Sequence, residues 1–261
     1  MLYYLHDVII PNYIIKIKEN IMKEKLYAIP VNDAFSKDCE CPVCAMYKEL
    51  ENNAVEYTMG PSYMEDDIRA VTDRLGFCDK HVKMVYDQNN RLGMALVMST
   101  HLRKTIGEVK AATKHRTMPK ISLFSKNKTT GNPVTEYIHN LDNSCFVCSR
   151  INGIFDRYIA TIFHLWKTDE AFREKYKSSK GFCQRHYAVL TDYAPKELKD
   201  SALNEFLSIT DKLYIENMER VLGDIDWFIN KFDFRYDNEP WKNSKDSLQR
   251  AILKTNSVDI E

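Results

Sequence analysis

At 261 residues the chain can bury a sizeable core in one large domain or two smaller ones, without disulfide staples. Its 44% hydrophobic and 28% charged residues, with eight Gly and eight Pro, exclude a disordered or fibrous chain. Lys plus Arg and Asp plus Glu both number 37, and this zero net charge removes the whole-chain electrostatic argument for a nucleic-acid or anionic-membrane partner.

The N-terminus, Met1-Leu-Tyr-Tyr-Leu-His-Asp-Val-Ile-Ile-Pro, has no basic start, and Asp7 and Pro11 interrupt its apolar run, so no secretion signal is read there. A second possible start lies at Met22, leaving residues 1–21 as an N-terminal extension of uncertain status. No later stretch reaches the roughly 18 uncharged apolar residues of a membrane span. The expectation is a cytoplasmic protein with reduced thiols, and seven cysteines gathered at short spacings there mean metal or redox work.

The first element in chain order follows Cys41-Pro-Val-Cys44: Tyr47, Leu50, Ala54 and Tyr57 give a weak helical stripe. Ser62-Tyr-Met-Glu65 after Pro61 has the form of a capping box, opening a second helix through Ile68, Val71 and Leu75. Gly76 is placed to end that helix in the left-handed C′ position, with Phe77 packing back. Cys78-Asp-Lys-His81 would then start a third helix running to about Ala112. A basic linker, 113–133, carries Lys114, Arg116, Lys120, Lys126 and Lys128 and reads as a solvated loop rather than a nucleic-acid arm.

The same signals then recur. Cys145-Phe-Val-Cys148 follows Cys41-Pro-Val-Cys44 by 104 residues, and Gly181-Phe-Cys183-Gln-Arg-His186 follows Gly76-Phe-Cys78-Asp-Lys-His81 by 105. After Cys148, residues from Ile151 through Phe155, Ile159, Phe163 and Trp166 keep helical spacing, and Phe172 and Tyr176 mark a shorter helix. A third helix should stop near Ala194-Pro195, and a long one from Leu203 through Phe206, Leu213, Val221 and Leu222 to about Phe232 precedes a short helix within Trp241–Leu253. No alternating strand pattern occurs. The expected fold is all-α: a helical bundle of two tandem metal-stapled repeats, 22–112 and 134–261, with a long C-terminal helix.

CxxC with CxxH supplies three thiolates and an imidazole, the closed tetrahedral set of a structural zinc site, and its repetition makes the signal strong. The expected sites are Cys41, Cys44, Cys78 and His81 in the first repeat and Cys145, Cys148, Cys183 and His186 in the second; ligation crossed between repeats is the alternative. Two zinc ions are the expected cofactors, with an iron–sulfur cluster in the same donors as the competing reading. Cys39 is the odd thiol, its reactivity blunted by Asp38 and Glu40; His101, His139 and His164 read as packed or rim residues, and Asp66-Asp67 as first-turn helix charge. The aromatic run Trp227 to Arg235 with Glu239-Pro-Trp241 reads as core closure. No P-loop, GxGxxG, HExxH or GxSxG motif is found, so a non-enzymatic protein that shows a helical surface to a protein or small-molecule partner is favoured over a redox enzyme.

These paired motifs and the Lys231-Phe-Asp-Phe-Arg235 to Glu239-Pro-Trp241 tail resemble the uncharacterised bacterial family DUF6062, a domain of unknown function, over about residues 24–254. The resemblance implies no particular reaction.

Overall fold

The computed structural model describes residues 27–114 and 132–260; the N-terminal extension and Arg116, Lys120, Lys126 and Lys128 of the basic linker lie outside them. Every regular element among the described residues is helical, as expected. In order they are α1 (27–36), α2 (Pro42–Met59), α3 (Asp66–Leu75), α4 (Asp79–Tyr86), α5 (Arg91–Lys114) and α6 (Pro133–Asp142). There follow α7 (Phe146–Thr168), α8 (Glu170–Ser178), α9 (Gln184–Glu197), α10 (Asp200–Asn230) and α11 (Ser247–Asn256), with 3-10 turns at Pro61–Met64 and Phe234–Tyr236. None of these helices is long and apolar enough to cross a membrane.

Two compact units result, and they are not the successive halves 22–112 and 134–261. One takes the described residues up to Lys48 and from Phe155 onward; the other, inserted between them in sequence, takes those within Glu49–Ile154. The chain passes between units inside α2 and inside α7.

The discontinuous unit has an aromatic core. Phe163, Trp166, Phe172, Tyr176, Phe182 and Phe206 are fully or almost fully buried, with Tyr176 edge-on to Trp166 and its hydroxyl 2.8 Å from Thr210 Oγ1. The inserted unit is leaner: α5 packs on α3 and α6, and Phe146 is the one buried aromatic among its described residues, beside Met59, Met94 and aliphatic side chains such as Leu50, Val55, Val85 and Val97.

Local chemistry moves several boundaries. The third helix of the first copy breaks into α4 and α5 because Asn89 turns left-handed, φ 60°, and the Asn90 side chain accepts from Gly93 N, restarting the helix. Ser62 forms no capping box: its hydroxyl bonds Tyr57 O, and Glu65 caps α3 without a side-chain hydrogen bond. Asp66 and Asp67 do sit in the first turn of α3. Pro195 lies within α9, whose last turn continues to Glu197. On α10, Leu222 is exposed rather than part of the buried stripe.

Both glycines of the repeated Gly-Phe-Cys turn have positive φ, 55° at Gly76 and 71° at Gly181. Gly76 caps α3 with ψ −151°, a region open to glycine alone, whereas α8 ends at Ser178 and Gly181 comes two residues after its cap, Ser179. A Cβ at Gly181 would stand 2.7 Å from the backbone oxygen of Leu213 on α10. Gly181→Ala is therefore expected to lower stability by about 1–3 kcal/mol, from strained dihedrals and a backbone clash together. Urea unfolding of the variant checks this, and an unchanged midpoint would contradict the turn described.

Candidate metal centres

The eight expected donors gather in two clusters, each within one unit and each with its four ligand atoms within 4.8 Å of one another. Membership is crossed. Cys41, Cys44, Cys183 and His186 form the cluster of the discontinuous unit, and Cys78, His81, Cys145 and Cys148 that of the inserted unit. The expectation that each CxxC would pair with the CxxH of its own copy is thus overturned.

Helix length supplies the reason. α2 has 18 residues and α3 only 10, about 27 Å out against about 15 Å back at 1.5 Å per residue. By itself α3 falls about 12 Å short of retracing the length of α2. The second copy repeats the mismatch, with 23 residues in α7 and nine in α8. At the end of the short helix α3 the chain instead meets the CxxC turn of the other copy: Phe146 N donates to Gly76 O at 2.9 Å, and Ser144 Oγ to Leu75 O at 2.8 Å.

Each motif is a helix start. Cys78 and Cys183 are the N-cap residues of α4 and α9, and Cys41 and Cys145 immediately precede α2 and α7. The fourth motif residue then falls at N3, where a capping box would put its reciprocal partner, so a three-residue offset brings both side chains to the same point. Cys44 N lies 3.4 Å from Cys41 Sγ and Cys148 N 3.5 Å from Cys145 Sγ, each aimed at the first sulfur. Four cysteines thus sit where unsatisfied helix N–H groups and the helix dipole favour negative charge.

In the discontinuous unit His186 Nδ1 lies 3.5, 3.3 and 3.2 Å from the sulfurs of Cys41, Cys44 and Cys183, and Cys44 Sγ is 3.5 Å from Cys183 Sγ. In the inserted unit His81 Nδ1 lies 3.2, 3.4 and 3.2 Å from Cys78, Cys145 and Cys148, with Cys78 Sγ 3.9 Å from Cys148 Sγ. Both imidazoles are buried. All seven cysteines are free thiols.

So many acidic sulfurs in one small volume divide their protons unequally. Burial alone would push the Cys145 thiol up, but His81 and the backbone of Cys148 hold it at about 6. His81, although burial opposes its charge, is raised to about 10 by Cys145 and Glu51, and Cys148 is pushed up to about 12 by burial and the Cys145 charge. In the other cluster, hydrogen bonds from Cys41 and Cys44 pull Cys183 far below its ordinary value; burial and the Cys183 charge take Cys41 to about 12. Without a cation, Cys145 and Cys183 are the favoured thiolates, while Cys148 and Cys41 are held protonated. A divalent cation would displace those protons and be matched by three thiolates.

Cys39 belongs to neither cluster; burial raises its pKa, with Asp38 and Glu40 adding to the effect. His101, His139 and His164 also lie outside both, and His101 Nδ1 is 2.8 Å from Asp73 O. The sequence reading missed two residues of the clusters' surroundings. Glu51 is buried and bonds His81 Nε2 at 2.9 Å. Lys254 is buried, and its ammonium donates to Glu40 O at 2.7 Å and Lys180 O at 2.5 Å, the backbone leading into Cys41 and Cys183. Lone charged residues carry no spacing signal, so only the fold reveals them.

These features define a class: an all-helical protein with two Cys3His clusters on helix N-termini, each able to hold a metal ion. The chain belongs to DUF6062, a family of unknown function, whose profile matches residues 22–261. No curated protein and no solved structure matches it.

Proposed function

We propose that the protein binds two zinc ions, one in each Cys3His cluster, and that both ions are structural. The observation that carries this reading is the spacing of the donors. A tetrahedral zinc with S at 2.3 Å and N near 2.0 Å has S···S edges of about 3.8 Å and S···N edges of about 3.5 Å. The Cys44–Cys183 and Cys78–Cys148 sulfur separations of 3.5 and 3.9 Å, the sulfur–nitrogen distances of 3.2–3.5 Å and the gathering of each set of four donors within 4.8 Å of one another fit a single ion of that size. An iron–sulfur cluster distributes its protein ligands over several irons and needs them further apart, so the spacing favours zinc.

Four protein donors close the coordination shell and three thiolates temper the ion's Lewis acidity, which argues for holding the fold rather than for catalysis. Seven free thiols suit a reducing compartment, as in the cytoplasm. The recurring motif spacing supports descent from one duplicated unit. The scaffold's role is to present a surface to a protein or small-molecule partner: Ile215, Leu222 and Ile229 are exposed along α10 at seven-residue intervals, and Phe232 and Phe234 are exposed just beyond. With cationic and anionic residues equal in number, nucleic acid is not the partner this reading favours.

Metal analysis after anaerobic purification tests the proposal. The expected result is a colourless protein with about two zinc ions per chain, as its two closed four-donor sites require. A brown protein with iron and acid-labile sulfide, or one without bound metal, would overturn it.

A further inference from the structure

The two clusters have the same donors but different surroundings, and the difference falls at one repeated position. Ten residues after Cys41, on α2, stands Glu51; ten residues after Cys145, on α7, stands Phe155. Each lies against the histidine of its own unit.

Glu51 Oε1 is 2.9 Å from His81 Nε2, and Lys80 Nζ lies 2.6 and 2.7 Å from the two Glu51 oxygens. Glu51 and His81 are both almost wholly buried. With an ion bound, the carboxylate would accept the Nε2–H and leave Nδ1, which faces the three sulfurs, as the ligating nitrogen. Phe155 offers no acceptor: its ring centre stands 5.8 Å from that of His186, tilted by 49°. Among the described residues no carboxylate reaches His186 Nε2. The discontinuous unit has instead a hydrogen bond to sulfur, from Ser257 Oγ to Cys183 Sγ at 3.1 Å.

A carboxylate behind a ligating imidazole fixes its tautomer and orientation and makes it a stronger donor. A hydroxyl donating to a thiolate withdraws charge from the metal's ligand. The two effects act in opposite directions on how firmly an ion is held.

Resting on the zinc reading above, we propose that Glu51 is a positioning residue for His81 and makes the two ion sites unequal, the site of the inserted unit being the slower to release zinc. The duplicated motif then carries one firmly held ion and one more readily exchanged ion, with Glu51 and Phe155 setting the distinction.

The test uses zinc-loaded full chains, each with one site disabled, challenged with an excess of a colorimetric chelator. Cys44→Ser leaves the inserted unit's site to be read alone, and Cys148→Ser leaves the other. Zinc should leave the Cys148→Ser chain faster than the Cys44→Ser chain. In the Cys44→Ser background, Glu51→Gln should speed release about 10-fold, and Glu51→Ala toward 100-fold, the range found when a ligand's outer partner is removed. In the Cys148→Ser background, Glu51→Gln should leave the rate unchanged. The hydrogen-bonded Nε2 proton of His81, seen by nitrogen-edited NMR of the loaded Cys44→Ser chain, should disappear in Glu51→Ala, a change that a merely structural ion pair with Lys80 would not produce. The inference fails if Glu51→Gln leaves the inserted unit's rate within twofold, or speeds both sites equally as a general loosening of the fold would. Wild-type protein that carries no zinc refutes the metal-binding reading instead.

Discussion

Cys78→Ser is expected to empty one metal site and unfold the inserted unit, whereas Cys183→Ser should empty the other site and leave its unit largely helical. Each change removes one thiolate from a four-donor set, and each set lies within one unit, so one ion is lost and the other kept. The difference lies in what remains. The discontinuous unit retains a core of seven large aromatic side chains, Phe35 and Tyr176 among them, while the inserted unit has Phe146 and a modest set of aliphatic and methionine side chains. Structural zinc contributes on the order of 10 kcal/mol of apparent binding free energy in small domains, more than a lean core supplies by itself. Metal content and hydrogen exchange measured helix by helix check this result: in Cys78→Ser the amides of α3, α4 and α5 should lose protection. If Cys183→Ser unfolds its unit and Cys78→Ser does not, the ranking of the two cores is wrong.

The second large effect belongs to Lys254. Its side chain is 1% exposed, and its ammonium bridges Glu40 O and Lys180 O while standing 3.4 Å from Glu40 Oε2. Burial lowers its pKa, and Glu40 counters that shift. α11 thereby holds together the two backbone strands that lead into Cys41 and Cys183. Lys254→Met keeps the side chain's bulk but strands two carbonyl oxygens, and it leaves the buried Glu40 carboxylate to Arg220, 2.5 Å away, and to Arg250 at 4.0 Å. Breaking such a buried charged pair costs about 3–5 kcal/mol. The expected outcome is a matching loss in urea unfolding, with faster metal release from the Cys41–Cys44–Cys183–His186 site and none from the other. A loss below about 1 kcal/mol, the size of an exposed ion pair, would show that the clamp is not what closes this site.

All eight clustered residues were legible in the sequence, because CxxC and CxxH place donors at N-cap and N3 of a helix and each pattern occurs twice. Their pairing was not, since within-copy and crossed ligation leave the same local pattern. The lengths of α2 and α3 decide it, and the weak stripe of Tyr47, Leu50, Ala54 and Tyr57 gave no warning that one helix would run uninterrupted from Pro42 to Met59. The all-helical class followed from periodicity, yet the break between α4 and α5 depended on the backbone of Asn89, a residue that tolerates either conformation. Phe77 and Phe182 looked equivalent; only Phe182 is fully buried, as part of the aromatic core.

The crossed pairing also sets an order of assembly during synthesis. The inserted unit has all four donors once Cys148 is made, 70 residues after Cys78. Cys44 emerges 139 residues before Cys183, an interval of roughly 7–30 s at typical rates of chain growth. Throughout that interval the first thiol pair waits without its partners, and Cys78 and His81 appear early enough to compete as the wrong ones. The end of α3 is tied to the later turn of its own unit, with Gly76 O accepting from Phe146 N, so Cys78 and His81 have their partners within that unit before Cys183 and His186 are made.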